Sequence, residues 1–204
     1  MVVTGRQTHG AMPWLGNDTV LASASVVTSL QSVVSRRMPI TKEPSVLSVC
    51  IIEGGNRSNI LPESVKLTGT IRTFDESHRN QMAFLLEQVA SNAAAAHGAC
   101  AKTTVERRYP VTINPDVIVK RASALLEKEG MPFSLADKTC GAEDFSEFLN
   151  KRPGLFYFVG AGDEGGPNHS PLFVVDESCI KPALMSLAII ASSFAQGEPP
   201  KPKL

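Results

Sequence analysis

Two histidines lie in short loops bounded by glycine or proline, where an imidazole can face solvent or a ligand. His9 stands in T-H-G-A-M-P (residues 8–13), directly before a helical pattern, and His169 stands in P-N-H-S-P-L-F (residues 167–173). An imidazole can transfer protons, donate a hydrogen bond or bind a metal. A loop histidine is often structural, so neither position by itself establishes a site.

An acidic pair, Glu143 and Asp144, precedes His169 within G-A-E-D-F (residues 141–145). One imidazole and two carboxylates could share a divalent metal, since zinc binds both nitrogen and carboxylate ligands. Spacing alone does not establish such a centre.

The run G-A-G-D-E-G (residues 160–165) fits the glycine pattern of dinucleotide-binding turns and follows a predicted strand, Leu155 to Val159. That pattern binds a pyrophosphate only where a helix starts directly after it. Gly166 and Pro167 come next, so the sequence argues against a dinucleotide site. We expect a tight turn beside a site instead.

Composition excludes several classes of protein. The 204 residues carry 20 Lys+Arg and 20 Asp+Glu, a formal net charge of +0, whereas a nucleic-acid binder needs clustered basic charge. No uninterrupted apolar run reaches the roughly 18 residues of a membrane span, and the N-terminus lacks a signal-peptide pattern. We therefore expect a cytoplasmic protein without nucleic-acid or membrane partners. The cysteines lack C-x-x-C spacing and are expected to be buried thiols: Cys50, Cys100, Cys140 and Cys179.

The elements that carry these residues follow from periodicity. A long amphipathic helix is predicted over residues 19–37, after the cap-type residues Asn17 and Asp18. Its predicted apolar stripe is Leu21, Ala24, Val27, Leu30 and Val34. A strand over residues 45–52 follows, then an alternating strand over residues 65–74 whose Arg72 points away from the core.

A second helix is predicted over residues 76–97, with Gly98 as its stop, and a strand over residues 99–109. If residues 1–7 supply the first strand, the order is that of the α+β ferredoxin-like (split βαβ) fold. Residues 1–110 are therefore predicted to form one small domain.

The second half, residues 111–204, has a different pattern. Asn114 is predicted to cap a helix over residues 115–129, and a short helical stretch follows Glu143. The C-terminal helix is predicted to end before a Pro-Lys-rich tail, and its apolar face comprises Leu184, Leu187, Ala188, Ala191 and Phe194. These helices and one buried strand predict part of a larger α/β layer whose remaining strands are absent from this chain.

Several of these segments, in order and at compatible spacing, resemble one enzyme family. They are G-R-Q-T-H-G-A-M-P-W-L-G-N-D (residues 5–18), N-I-L-P (59–62), I-R-T-F-D (71–75), G-A-E-D-F (141–145), V-G-A-G (159–162) and N-H-S-P-L-F (168–173). Together they resemble the aminoacylase-type zinc metallopeptidases and amidohydrolases. The similarity is to the branch of hippurate hydrolase, N-acyl-amino-acid amidohydrolase and indole-3-acetyl-amino-acid hydrolase.

The resemblance implies that residues 1–110 are a lid or dimerisation domain and that residues 111–204 are the C-terminal part of an α/β zinc-peptidase-like catalytic domain. That catalytic domain holds two divalent metal ions, zinc or manganese. Its upstream half normally supplies a Cys-x-His pair, a Glu-Glu pair and another His, and nothing equivalent precedes Met1. We therefore expect this chain alone to be an inactive homodimer that holds no metal stably.

The resemblance also implies residue roles. His169 corresponds to the last metal ligand, and His9 to the lid histidine that helps stabilise the tetrahedral oxyanion, often across the dimer. Asn59 and Arg72 correspond to lid residues that hold the carboxylate or carbonyl side of an N-acyl amino acid. Glu143 lies in the segment beside the substrate, where Gly-Ala replaces the family's Gly-Gly. The rival hypothesis is a non-catalytic dimerisation or interaction module, or a decayed copy of such an enzyme.

Overall fold

A computed structural model describes residues 1–162, Gly166 and residues 168–195. The chain forms two compact units, Met1–Val111 and Thr112–Leu204.

The first unit is built on an antiparallel sheet. In chain order its strands are β1 (Val2–Thr4), β2 (Thr8–His9), β3 (Ser45–Gly54), β4 (Ile60–Leu61), β5 (Ser64–Thr73) and β6 (Cys100–Lys102). Four of them form a sheet in the order β3-β5-β1-β6, and β2 pairs with β4 in a separate two-stranded ribbon. Helices α1 (Thr19–Ser32) and α2 (Glu76–Ala95) pack on the sheet and enclose the core.

Helix α1 begins where the cap residues predict. Asp18 accepts a hydrogen bond from the Leu21 N–H at 2.8 Å, and a π-helical turn, Val33–Arg37, continues the helix to the predicted end. The predicted apolar stripe is wrong in part, since Leu21 is 54% exposed. The fully buried apolar residues are Ala22, Val26, Leu30 and Val33. Because the polar residues of α1 are uncharged Ser, Thr and Gln, which small apolar neighbours flank on every side, its sequence fits more than one stripe.

Helix α2 agrees more closely with its prediction. Asp75 caps it by accepting from the His78 N–H at 2.9 Å, and the chain turns away at Gly98 with φ of 69°. Hydrogen bonds from Ser77 and from the His78 N–H hold the pKa of Asp75 below its ordinary value. Met82 and Ala90 are completely buried on the face toward the sheet.

Alternation along β5 sets the two faces of the sheet. Val65 and Leu67 are buried toward the helices, while Lys66 and Thr68 are exposed on the opposite face. Arg72 has the same parity as Lys66 and therefore lies on the face opposite to the helices, as predicted. The last predicted strand, residues 99–109, is wrong in length, because only β6 pairs and its partner β1 has 3 residues.

The prediction of buried thiols is wrong. Cys50, Cys100 and Cys140 are exposed, Cys179 is half-buried, and all four are free. Cys50 lies at a bulge in the edge strand β3, where the register with β5 shifts between Val49 and Ile51. Cys100 lies on the other edge strand. Cys100 pairs with Thr4, the neighbour of the fully buried Val3, so its side chain lies on the sheet face opposite to the helices.

The second unit contains α3 (Asp116–Lys128), α4 (Ser146–Leu149) and α5 (Ile180–Ala195). Arg121 of α3 donates to the Ser193 carbonyl of α5 at 2.6 Å, and its guanidinium stacks over the Phe194 ring. The prediction that Asn114 caps α3 is wrong. The N-cap residue is Pro115, and no side-chain hydrogen bond caps the helix.

The Asn114 amide instead bonds a neighbouring backbone segment. It accepts from the Phe156 N–H at 2.7 Å and donates to the Phe156 carbonyl at 2.6 Å. The predicted buried strand, residues 155–159, is therefore wrong as described: it joins no sheet within the described residues, and Phe158 is 64% exposed.

The C-terminal helix presents its predicted apolar face to solvent, with Leu184 63% and Leu187 56% exposed. By length and composition alone, the 19 residues Glu177–Ala195 could cross a membrane, a test that core helices of water-soluble proteins also pass. A search for an uninterrupted apolar run misses this stretch because it contains charged residues. The Pro-Lys-rich tail lies outside the described residues.

Candidate functional site

His9 is held in a tight turn with a single ring nitrogen engaged. The Met12 N–H donates to the His9 carbonyl at 2.8 Å, and the Ala11 N–H donates to His9 Nδ1 at 3.1 Å. Because Nδ1 accepts a hydrogen bond, the neutral imidazole carries its proton on Nε2. His9 is exposed, so this turn presents an Nε2–H donor to whatever occupies the adjoining space.

The turn belongs to a compact loop, residues 6–17, whose two ends are joined. Arg6 N–H donates to Asn17 Oδ1 at 3.0 Å, and Asn17 N–H donates to the Arg6 carbonyl at 2.9 Å. Gly16 passes so close that a Cβ there would lie 2.3 Å from the Arg6 carbonyl oxygen. Only glycine fits this close backbone approach. The loop is therefore an Ω-type loop closed at its base.

The backbone of Asn59 lies beside that of His9. His9 pairs with Ile60 in the β2–β4 ribbon, and the Gly10 N–H donates to the Asn59 carbonyl at 2.8 Å. A Cβ on Gly10 would lie 3.3 Å from that carbonyl oxygen, which explains the small residue after the histidine. The ribbon thus brings together two of the predicted site residues that are distant in sequence.

Arg72 lies near the end of β5, opposite Val46 of the edge strand β3. Its side chain is half-buried, and within the described part of the chain its guanidinium has no hydrogen bond or ion pair. A half-buried cation without a counter-ion is suited to bind an anion. No contact joins Arg72 to His9 or Asn59 among the described residues.

Glu143 has a local structural contact. Its Oε1 accepts from the Phe145 N–H at 3.2 Å, and its carbonyl accepts from the hydroxyl of the fully buried Ser146 at 2.7 Å. The half-buried carboxylate therefore helps to start α4, since the first N–H groups of a helix need acceptors. No contact with His169 is found in the described second unit.

His169 adopts a backbone conformation that is uncommon for a non-glycine residue, with φ of 69°. Its N–H donates to Asn168 Oδ1 at 3.2 Å, and the turn continues with the Phe173 N–H bonded to the Ser170 carbonyl at 3.0 Å. The imidazole is exposed. Backbone strain of this kind concentrates at functional sites.

The glycine run lies partly outside the described residues, since residues 163–165 and 167 are not described. Before the gap, the Ala161 carbonyl accepts from the Asp176 N–H at 2.8 Å, and Gly162 has φ of 84°. Hydrogen bonds from the Ser178 N–H and hydroxyl keep the pKa of Asp176 below its ordinary value. These contacts fix the start of the predicted turn but do not test its end.

Within the described residues, no group of three or more His, Cys, Asp or Glu side chains could hold a metal ion. His169 can supply one ligand, whereas a zinc site needs three or four from the protein. The described residues therefore do not fit a complete metal centre.

Sequence reasoning missed the residues that shape the histidine loop, Arg6, Thr8, Gly16 and Asn17. The sequence did contain one signal of a closed loop, the pair Gly16 and Asn17 directly before a helix. The pair closes the loop because both residues lie against the Arg6 backbone, and hydrophobic periodicity does not show a contact between distant residues.

Comparison with known proteins supplies the family. Residues 1–98 match the peptidase dimerisation domain of the M20 family. Over 96% of its length the chain is 30% identical to thermostable carboxypeptidase 2 of Saccharolobus solfataricus. It is also 30% identical, again over 96% of its length, to N-acetyldiaminopimelate deacetylase of Leuconostoc mesenteroides. The chain spans about half the length of these curated relatives, 50% and 51% respectively.

Solved structures agree with these matches. A Bacillus subtilis protein, YXEP, described as a dinuclear metal-binding peptidase from the M20 family, superposes with a TM-score of 0.76 at 24% identity, over 96% of this chain and 50% of that one. A tripeptidase of Staphylococcus aureus superposes with a TM-score of 0.75 at 18% identity, over 96% of this chain and 50% of that one. The chain therefore belongs to the M20 family of peptidases and amidohydrolases, and its first 98 residues are that family's dimerisation domain.

Proposed function

We propose that this chain is the lid and C-terminal portion of a metal-dependent amidohydrolase that cleaves the amide bond of N-acyl amino acids. The observation that carries the proposal is the His9 turn, in which Nδ1 is bonded and Nε2 is free, joined by the β2–β4 ribbon to Asn59. Two relatives are named as deacetylases of N-acetylated compounds, N-acetyldiaminopimelate deacetylase and N-acetylcysteine deacetylase, and these names support N-acyl amino acids as the substrate class.

We propose that the first unit is ferredoxin-like. Without the short ribbon, its strands and α-helices run strand, helix, strand, strand, helix, strand, and the sheet order β3-β5-β1-β6 supports the split βαβ arrangement. The short ribbon is an addition that carries the histidine loop.

His9 is assigned to the oxyanion. When an amide carbonyl becomes tetrahedral, negative charge develops on its oxygen, and a fixed N–H donor stabilises that charge more than the neutral carbonyl. The tautomer imposed by the Ala11 N–H provides such a donor at Nε2. Asn59, on the adjoining ribbon, is assigned to the carbonyl side of the substrate.

Arg72 is assigned to the free carboxylate of the substrate. A planar guanidinium binds both carboxylate oxygens, and this one has no competing partner among the described side chains. Glu143 is assigned to the segment beside the substrate. The hydrogen bond from the Phe145 N–H to its carboxylate holds the Glu143 side chain in place there.

The complete enzyme is proposed to use two divalent ions, zinc or manganese, with His169 as one ligand. The remaining ligands would come from the portion of the relatives that this chain does not span, because the described residues supply no cluster. Alone, the 204-residue chain is expected to be inactive.

Steady-state kinetics on a chain extended to the length of its relatives test the two lid roles. His9→Ala should lower kcat by about a hundredfold or more with little change in KM, because the oxyanion exists only in the transition state. Arg72→Ala should mainly raise KM, and less so for amidated substrates that lack the carboxylate. Equal profiles for both variants on both substrates would refute the division of roles.

A second candidate is a non-catalytic dimerisation module. The match of residues 1–98 to a dimerisation domain, without a metal cluster among the described residues, favours it. Hydrolysis by the extended chain would exclude it, and no hydrolysis with metal supplied would support it.

Assembly as a homodimer is proposed to use the first unit. Its edge strand β3 is 10 residues long and exposes Ile51 and Ile52, and an uncovered edge of this kind pairs readily with a second copy. Sedimentation of the chain and of Ile52→Lys tests this: a dimer is expected for the former and a monomer for the latter. A cytoplasmic location and the absence of nucleic-acid and membrane partners stay predictions.

A further inference from the structure

We infer that Thr8 is a positioning residue that fixes the ring of His9 in its Nε2–H form. The inference rests on the proposed function for the purpose of His9, but its geometry stands on contacts within the loop. Nothing in the sequence motif distinguishes Thr8 from its neighbours, since it is a common residue in a polar stretch.

The Thr8 hydroxyl closes the turn around His9. Thr8 Oγ1 donates to the Met12 carbonyl at 3.0 Å, across the turn whose other bond runs from the Met12 N–H to the His9 carbonyl at 2.8 Å. Met12 is therefore bonded through both of its backbone groups to the two residues of β2. The Met12 carbonyl also accepts from the Leu15 N–H at 3.1 Å, so the Thr8 hydroxyl is one of three hydrogen bonds that hold this residue, and the one made by a side chain.

Ala11 lies between Gly10, whose N–H donates to the Asn59 carbonyl at 2.8 Å, and Met12, so the hold on both neighbours limits the φ and ψ of Ala11 and with them the direction of its N–H. That N–H donates to His9 Nδ1 at 3.1 Å, and no other bond to the imidazole is present in the described residues. Without the Thr8 hydroxyl, Met12 keeps its bonds to His9 and Leu15 but its carbonyl is held less firmly, and the Ala11 N–H is directed less strictly toward Nδ1. The ring would then be free to place its proton on either nitrogen and to rotate.

The other side of Thr8 is packed against the base of the loop. Its Cγ2 and Cβ lie 2.8 and 2.9 Å from the position that a Cβ on Gly16 would take, so the Thr8 side chain fills the space that this glycine leaves. Thr8 thereby connects the closed base of the loop to the turn that holds His9. The hydroxyl and the methyl group have separate tasks, which a substitution series can distinguish.

Nitrogen-15 NMR of the histidine side chains in the 204-residue chain tests the inference without any turnover. The His9 ring signals are assigned by their absence in His9→Ala. In mildly alkaline buffer we expect wild type to show a single Nε2–H tautomer and Thr8→Val to show a mixture. The Ala11 amide should exchange about fivefold to tenfold faster in Thr8→Val, which is the effect of losing one hydrogen bond.

Two further variants control the experiment. Thr8→Ser keeps the hydroxyl and should restore the wild-type ring signals and the slow exchange at Ala11. Thr4→Val removes a hydroxyl that donates to the Cys100 carbonyl at 3.4 Å, outside the loop, and should leave His9 unchanged. If Thr8→Val does not fold, Thr8→Ser decides alone: a wild-type ring supports the hydroxyl role, and a mixed tautomer overturns it.

A wild-type His9 spectrum in folded Thr8→Val would also overturn the inference. Because the readout is spectroscopic, that outcome leaves the assignment of His9 to the oxyanion untouched. Conversely, inactivity of the extended chain would refute the proposed function and leave the role of Thr8 in holding the ring intact.

Discussion

Gly16→Ala should open the loop that carries His9. The added Cβ would lie 2.3 Å from the Arg6 carbonyl oxygen, about 1 Å short of ordinary contact, and both partners are backbone. A shift of that size would break the Arg6–Asn17 pair, whose two bonds measure 2.9 and 3.0 Å. At about 1 kcal/mol for each bond, offset by up to about 1 kcal/mol from the lower entropy of the unfolded chain, the free energy of unfolding should fall by about 1–2 kcal/mol.

Urea unfolding followed by circular dichroism and tryptophan fluorescence measures this loss. Trp14 is the single tryptophan of the chain, lies two residues before Gly16 and is 75% exposed, so its emission reports on the loop itself. With an m-value of about 2 kcal/mol/M, the midpoint should move by roughly 0.5–1 M. Gly160→Ala is the control, because nothing lies within 4 Å of a Cβ there. A Gly16→Ala midpoint equal to that control would refute the argument from close approach.

Three further predictions follow from other parts of the chain. Leu30→Ala should lower the free energy of unfolding by about 2–5 kcal/mol because Leu30 is fully buried. Leu21→Ala, at an exposed position of the same helix, should lower it by less than about 0.5 kcal/mol. Equal losses in urea unfolding would mean that the buried face of α1 is misassigned. Because the pKa of Asp75 is lowered in the folded chain, the unfolded chain binds more protons in acid. The stability that Asp75 contributes is therefore present above the ordinary pKa of an aspartate and is lost as pH falls below about 4. Asp75→Asn should flatten this loss, and acid titrations by circular dichroism that are the same for wild type and Asp75→Asn would contradict the linkage. The isolated chain should purify nearly metal-free by elemental analysis, and stoichiometric metal that disappears in His169→Ala would show that more of the centre is present than the described residues supply.

The sequence predicted helices better than their buried faces. The start of α2 and its stop near Gly98 could be predicted because Asp75 and Gly98 mark them, and Met82, Leu85 and Leu86 of its expected apolar stripe are buried. The buried face of α1 could not be predicted, because its polar residues are uncharged Ser, Thr and Gln and the choice of face depends on the sheet it packs against. Residues 155–159 have strand composition, but a strand needs a partner, and pairing is not a local property.

The site followed a similar division. The ribbon brings the backbone of His9 and Asn59 together, a pairing between distant segments that local pattern does not show, and the roles of both residues stay predictions. The bond between Ala11 and His9 Nδ1 depends on the fold of the whole loop, so residue types alone did not indicate the tautomer. Arg72 was placed on the correct face because strand alternation is a strict geometric rule.

The amide of Asn114 has a consequence for aggregation. Residues 155–159 read Leu-Phe-Tyr-Phe-Val, an uncharged segment of high β-propensity without proline, which is the composition of strands that assemble between molecules. In an extended chain the N–H and C=O of one residue point to the same side, and those of its neighbours point to the other side. By occupying both groups of Phe156, Asn114 blocks one side of this segment to any incoming strand. The segment is thus open to intermolecular pairing in a single direction, and Asn114 acts as its gatekeeper against growth in the other.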